Sequence, residues 1–165
     1  MTHLYSCTST VTRDHGFRRL GVIEYAFLNR EMDVEIIADG AHLPPELIRM
    51  IVGIKGAEHT ALVTDALSLT GTDRTEASVG SVPCLLEDGV CKLRDRSAFA
   101  DRLVRVCVQQ AGLPLTQAVA MASATPARIL GLPRKGRIEP GCDADFAVMN
   151  DRLEVTGVWV GGEPV

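Results

Sequence analysis

Three short runs rich in β-branched and apolar residues each end on a polar side chain able to bind a metal or move a proton. They are Thr2-His3-Leu4-Tyr5, the run 34–38 leading through Asp39-Gly40-Ala41 to His42, and the run 60–64 closing at Asp65. Amphipathic stretches separate them: 18–29, and a segment from Pro44-Pro45 to about Lys55 that Gly56 terminates. Proline is tolerated in a first helical turn, and glycine favours the position just past a helix. Run, helix, run, helix, run with short connections reads as parallel βαβ units. The middle run is almost continuously apolar apart from Glu35, as in a sheet covered on both faces. In barrels of this kind, polar residues at the carboxyl ends of strands serve chemistry, while strand interiors serve packing. The expected class is therefore α/β, a portion of a (β/α)8 barrel, and the chain belongs to an enzyme.

Composition narrows the alternatives. At 165 residues, 46% hydrophobic and 23% charged, the chain is globular and long enough for a core. A net charge of −4 speaks against nucleic acid as a partner, since such proteins carry a basic face. No apolar run approaches bilayer length, and the start lacks the basic and apolar regions of a signal peptide, so a cytoplasmic location without membrane association is expected. Cys7, Cys84, Cys91, Cys107 and Cys142 are odd in number and contain no C-x-x-C pair. Most of them fit buried reduced thiols better than a disulfide framework or a structural zinc site, with Cys7 set apart by lying four residues after His3.

Beyond Asp65 the pattern changes. Residues 66–80 are small, polar and glycine-punctuated, the composition of a loop over the rim. Residues 82–92 read as a hairpin about Glu87-Asp88-Gly89. Helices follow at 101–111, at about 115–123 and at 125–131, the last with Thr125 as its cap and Pro126 at its first position. Two strand-like runs, 143–149 and 153–160, flank the turn Asn150-Asp151-Arg152. The expected division is a partial barrel over 1–132 and a small sheet beside it over 133–165.

Asp65, closing a buried run ahead of a polar loop, suits a general base acting on water activated by a metal; a turn or cap aspartate is the plainer reading. His3 is a candidate metal ligand, although zinc needs three or four protein ligands and no H-x-H spacing is present. His42 could polarise or hydrogen-bond a substrate carbonyl or hydroxyl, or simply sit in the turn before Pro44. Arg13, Arg18 and Arg19 could bind phosphate or carboxylate in bidentate fashion, or decorate a helix entrance.

Taken together, Thr2-His3-Leu4-Tyr5, Ile36-Ile37-Ala38-Asp39-Gly40-Ala41-His42 and Leu62-Val63-Thr64-Asp65-Ala66 resemble the last three strand motifs of N-acetylglucosamine-6-phosphate deacetylases. Met121 to Leu132 and Lys135 to Asp145 resemble the closing signature of the wider amidohydrolase superfamily. The resemblance implies a metal-dependent barrel flanked by a β-sandwich. It implies hydrolysis of N-acetylglucosamine 6-phosphate to glucosamine 6-phosphate and acetate, and a divalent metal, zinc with iron, cobalt or manganese as alternatives. By the same resemblance His3 and Asp65 are metal residues, and Asp65 is the catalytic aspartate. Ser6 and Cys7, standing where the family usually has Asn-Ala, contact substrate together with His42, and Arg13 binds the sugar phosphate. The complete enzyme is expected to be a homodimer.

Because Met1 falls almost at the first motif, a fragment with an incomplete metal site and little activity of its own is the expectation. The rivals are another amidohydrolase, dihydroorotase-like or an N-acyl-amino-acid deacylase, and a non-catalytic remnant serving as a structural or binding module.

Overall fold

The computed structural model describes residues 1–66, 76–79, 82–87, 90–92 and 99–165, with backbone alone for the three segments between 76 and 92. Its centre is a parallel pair, β3 (Val34–Ile36) and β4 (Thr60–Leu62), in register Val34 to Thr60 and Ile36 to Leu62. A parallel pair needs a crossover, and α2 (Pro45–Lys55) supplies it. Ile48, Ile51, Val52 and Lys55 recur on the buried face of α2, while Arg49 and Met50 face solvent. Pro45 occupies the first turn of α2, and the Gly56 N–H returns to the Val52 carbonyl at 2.8 Å. Gly56 has φ +79 and ψ 159, a region essentially confined to glycine, so only glycine ends the helix this way.

Residues 1–4 lie along the other side of β3. The Glu35 N–H donates to Met1 O and the Leu4 N–H donates to Glu35 O, both at 2.8 Å, the pattern of a parallel pair with one extra residue. They do not form the expected strand end, because His3 (φ 33) and Tyr5 (φ 74) leave the extended region.

The expected helix over 18–29 is corrected. Residues 12–19 instead form an antiparallel hairpin of β1 (Thr12–Asp14) and β2 (Phe17–Arg19), and α1 starts later, at Val22–Leu28. The turn residues His15 (φ 47) and Gly16 (φ 88) both have positive φ, as a two-residue hairpin loop demands. Glu24 then caps α1 by accepting the Gly21 N–H at 2.8 Å, while Thr10 Oγ1 donates to the same carboxylate at 2.6 Å. A Cβ on Gly21 would lie 2.4 Å from Ser9 O.

Central strands β5 (Glu76–Val79), β6 (Val82–Glu87) and β7 (Val90–Lys92) form an antiparallel meander. β6 and β7 are the expected hairpin, whereas β5 falls within the segment read as loop; pairing with β6 overrides its weak strand composition. The rest of that loop, 67–75 and 80, the turn residues 88–89 and the side chains of Cys84 and Cys91 lie outside the described residues.

Three helices follow, α3 (Ala100–Gln109), α4 (Leu115–Ala122) and α5 (Ala124–Ile129). Leu103, Cys107, Ala118 and Met121 join Leu4, Ile23, Val34, Ile36, Ile48, Ile51 and Leu62 in one buried cluster. Burial pushes the Cys107 thiol pKa up to about 12, which keeps it inert. Thr125 is not the cap of α5; it is buried in the first turn and donates through Oγ1 to Ala57 O at 2.9 Å. The tail forms a three-stranded antiparallel sheet ordered β10-β9-β8, from β8 (Phe146–Met149), β9 (Val155–Val160) and β10 (Glu163–Pro164). Phe146 and Trp159 stack across it at 5.1 Å, yet Phe146, Val148, Val155, Val158 and Val160 stay exposed.

Buried Lys55 ties the layers together. Its Nζ donates to the carbonyls of Ala26 (3.1 Å), Asn29 (2.7 Å) and Arg30 (3.0 Å) at the end of α1. Burial lowers its pKa, with Asp33 and Glu31 opposing. Lys55→Met would leave those carbonyls without their donor, and urea denaturation is expected to show a loss of about 3 kcal/mol; an unchanged midpoint would contradict this role.

Candidate functional site

Parallel strands deliver their carboxyl ends to one edge. Here residues 1–4, β3 and β4 lead into the loop after His3, the turn Asp39–His42 and Asp65 at the same edge. The backbone there is strained. His3, Tyr5, Cys7 and Asp65 all have positive φ, four of the six such non-glycine residues among those described. Non-glycine residues in this region carry a cost and cluster at functional sites.

The loop holds itself through Ser6 N–H to His3 O at 2.8 Å and Tyr5 N–H to Thr8 Oγ1 at 3.0 Å. Ser6 is half-buried, and Cys7 is an exposed free thiol. His3 Nδ1 is buried without a hydrogen-bond partner. A buried orphan imidazole nitrogen costs stability unless something fills its lone pair, and a metal ion is one such group. Among the described residues, however, no three His, Cys, Asp or Glu side chains converge as a metal cluster. Asp65 is solvent-exposed at the start of the loop after β4.

Asp39 is the residue that sequence reasoning passed over. Its side chain is fully buried, and its Oδ1 accepts the N–H groups of Ala41 at 2.9 Å and His42 at 2.8 Å. Its Oδ2 faces His42 Nδ1 at 2.9 Å. Burial works to raise the Asp39 pKa, but the hydrogen bonds and charge of His42 and the Ala41 N–H outweigh it and hold the carboxyl below its usual value. From α3, Arg102 Nη2 donates to the Asp39 carbonyl at 3.3 Å, while its buried Nε has no partner. The one sequence signal was an aspartate three residues before a histidine at a strand end.

Arg13 lies on the hairpin. It sits exposed on β1, opposite Arg18 of β2, and among the described residues no hydrogen bond or ion pair joins it to His3, His42 or Asp65. A cleft of about 720 Å³ lies elsewhere again, beside Ala57 and Glu58 where β4 begins, lined also by Thr116, Arg128 and Leu132. None of the rim residues lines it.

Residues 5–165 match the Amidohydrolase family, and the chain belongs to that family. Within it, the chain is 34% identical over 167 residues to the N-acetylgalactosamine-6-phosphate deacetylase of Shewanella sp. (strain ANA-3), covering 98% of this chain and 41% of the relative. It is 31% identical over 173 residues to the N-acetylglucosamine-6-phosphate deacetylase of Bos taurus, covering 100% of this chain and 42% of that protein. Among solved structures, the Mycobacterium smegmatis N-acetyl-D-glucosamine-6-phosphate deacetylase, a variant in complex with N-acetyl-D-glucosamine-6-phosphate, superposes with a TM-score of 0.81 at 31% identity. That match covers 99% of this chain and 44% of the neighbour. The chain thus spans about two-fifths of the length of the relatives it matches.

The depressed Asp39 pKa has a defined sign. Its contribution to stability is complete above the unfolded carboxyl value of about 3.9 and is lost as pH falls through the lower folded value. Urea unfolding between pH 6 and pH 2, a range chosen to span about two units either side of that value, is expected to fall more steeply for the wild type than for Asp39→Asn. Parallel slopes would contradict the assignment.

Proposed function

We propose that this chain is the carboxyl-terminal part of a metal-dependent sugar-phosphate deacetylase that hydrolyses N-acetylglucosamine 6-phosphate to glucosamine 6-phosphate and acetate. The observation that carries the reading is the single edge to which β3, β4 and the segment 1–4 beside β3 lead, where His42, Asp65 and His3 follow. Family membership and the named deacetylase relatives support it. On this reading residues 1–132 are the last three strand–helix units of a (β/α)8 barrel, and 133–165 contribute strands to a small β-sandwich. The exposed apolar residues of the tail sheet fit that second role.

His3 and Asp65 would hold a divalent metal, zinc in the first instance, with the orphan Nδ1 of His3 as its donor. The bound metal would polarise the acetyl carbonyl and bring the pKa of water near neutrality. Asp65 accepts the proton from the attacking water and delivers it to the nitrogen as the C–N bond breaks. His42, Ser6 and Cys7 contact the sugar. Arg13 takes the phosphate, a doubly charged group that suits a guanidinium fork. Its exposed hairpin, with Phe17, Leu20, Val22, Tyr25 and Leu28 all exposed nearby, fits a homodimeric enzyme in which such a surface is covered. A cytoplasmic location follows from the substrate class; among the described residues no helix is long and apolar enough to cross a membrane.

The Shewanella relative favours a second reading, in which the substrate is the galactosamine epimer. Acetate release from both sugar phosphates, by protein produced from its own gene and supplied with Zn²⁺, separates the two. Asp65→Asn is expected to lower the rate by about 10²–10⁴-fold. A folded, metal-loaded protein that releases acetate from neither substrate would overturn the proposal.

A further inference from the structure

We propose that Asp39 is a positioning residue for His42, holding the neutral ring as the Nδ1–H tautomer so that Nε2 is left as an acceptor for a substrate hydroxyl. This rests on the deacetylase reading of the rim and says which of His42's possible contacts it makes. Asp39 is fully buried, whereas the His42 side chain is 48% exposed, so the carboxylate is the fixed partner and the ring reaches outward. Two backbone N–H bonds, from Ala41 and His42, lock Oδ1. The Arg102 guanidinium holds the Asp39 carbonyl from α3. Oδ2 is therefore pinned 2.9 Å from Nδ1.

An ionised carboxylate only accepts hydrogen bonds, so the proton between the two groups sits on Nδ1. The tautomer of a histidine is set by the bond its other nitrogen makes. Nε2 then carries a lone pair and has no hydrogen-bond partner among the described residues. A neutral His42 held this way accepts from an O–H donor and cannot polarise a carbonyl. Of the two roles open to His42, sugar-hydroxyl recognition is the one this tautomer of the neutral ring permits.

Asparagine at position 39 is the discriminating change. Its side-chain oxygen keeps the two backbone bonds, but an NH₂ replaces Oδ2, and a donor facing Nδ1 moves the ring proton to Nε2. The test is a long-range ¹H–¹⁵N correlation spectrum of the full chain with ¹⁵N-labelled imidazoles, taken where the rings are neutral, with His42→Gln identifying the His42 signals. The wild type is expected to show protonated Nδ1 and bare Nε2, and Asp39→Asn the reverse. A wild type protonated at Nε2, or a folded Asp39→Asn with the wild-type pattern, overturns the inference. If Asp39→Asn does not fold, the wild-type spectrum alone decides. No substrate is present in this measurement, so its outcome is independent of whether the deacetylase reading stands. In protein that releases acetate, Asp39→Asn is expected to raise KM about tenfold with kcat little changed; a fall in kcat at constant KM contradicts the hydroxyl contact.

Discussion

The register between β3 and β4 decides where the chemistry can be. Pairing Val34 with Thr60 and Ile36 with Leu62 in parallel requires α2 as a crossover and sends both strand ends to one edge. A one-residue slip would turn the buried set of each strand toward the wrong layer. The cost of such a slip is large here, because Val34, Ile36, Thr60, Ala61 and Leu62 are all buried. That the turn holding His42 and the loop opening at Asp65 leave by one edge is thus a consequence of core packing, and the extra residue in the pairing of 1–4 goes with a left-handed His3.

The opposite edge is built for holding. Asp33 immediately precedes β3 and His59 immediately precedes β4; His59 Nδ1 meets Asp33 Oδ1 at 2.9 Å. Arg128 of α5 bonds to both Asp33 and the Glu58 carbonyl. The Met1 amino group donates to Asp33 O at 2.6 Å, so all three chain segments of the sheet are tied at their entry points. Burial opposes ionisation of Asp33, yet the bonds from Arg128 and His59 hold its pKa below the usual range. Polar residues at the entry edge thus clip elements together, and polar residues at the exit edge carry strain and unpaired atoms. That division fits parallel strand–helix units, whose ligand sites gather at the carboxyl ends of the strands.

How much of this was legible in the sequence depended on whether the cause was local. The parallel unit over 34–64 was readable because its signals coincide: a continuous apolar strand, Pro45 opening α2, Gly56 closing it. The tail strands were readable for similar reasons, with Asn150 Oδ1 accepting the Arg152 and Glu154 N–H groups across their turn. The hairpin at 12–19 was hidden because His15-Gly16 lacks the Asn-Gly or Asp-Gly form that marks such turns. Thr125 looked like a helix cap, but its hydroxyl serves Ala57, 68 residues away, a partner no local pattern reveals. Asp39 was visible as part of a motif, but its grip on His42 depends on a buried carboxylate meeting a turn. Arg13 was chosen by spacing, and its place on exposed β1 of the hairpin is set by a turn that local composition did not signal.

The most direct test of this arrangement is a Mn²⁺ titration of the ¹⁵N-labelled chain, followed by paramagnetic broadening. If the strand ends form one metal-competent edge, the His3 ring and the Asp65 amide broaden first, His42 follows, and His59 at the opposite edge and His15 on the hairpin stay sharp. Broadening that begins at His59, at His15 or at the Asp143–Asp145 cluster while His3 stays sharp would contradict the assignment of this edge as the functional site.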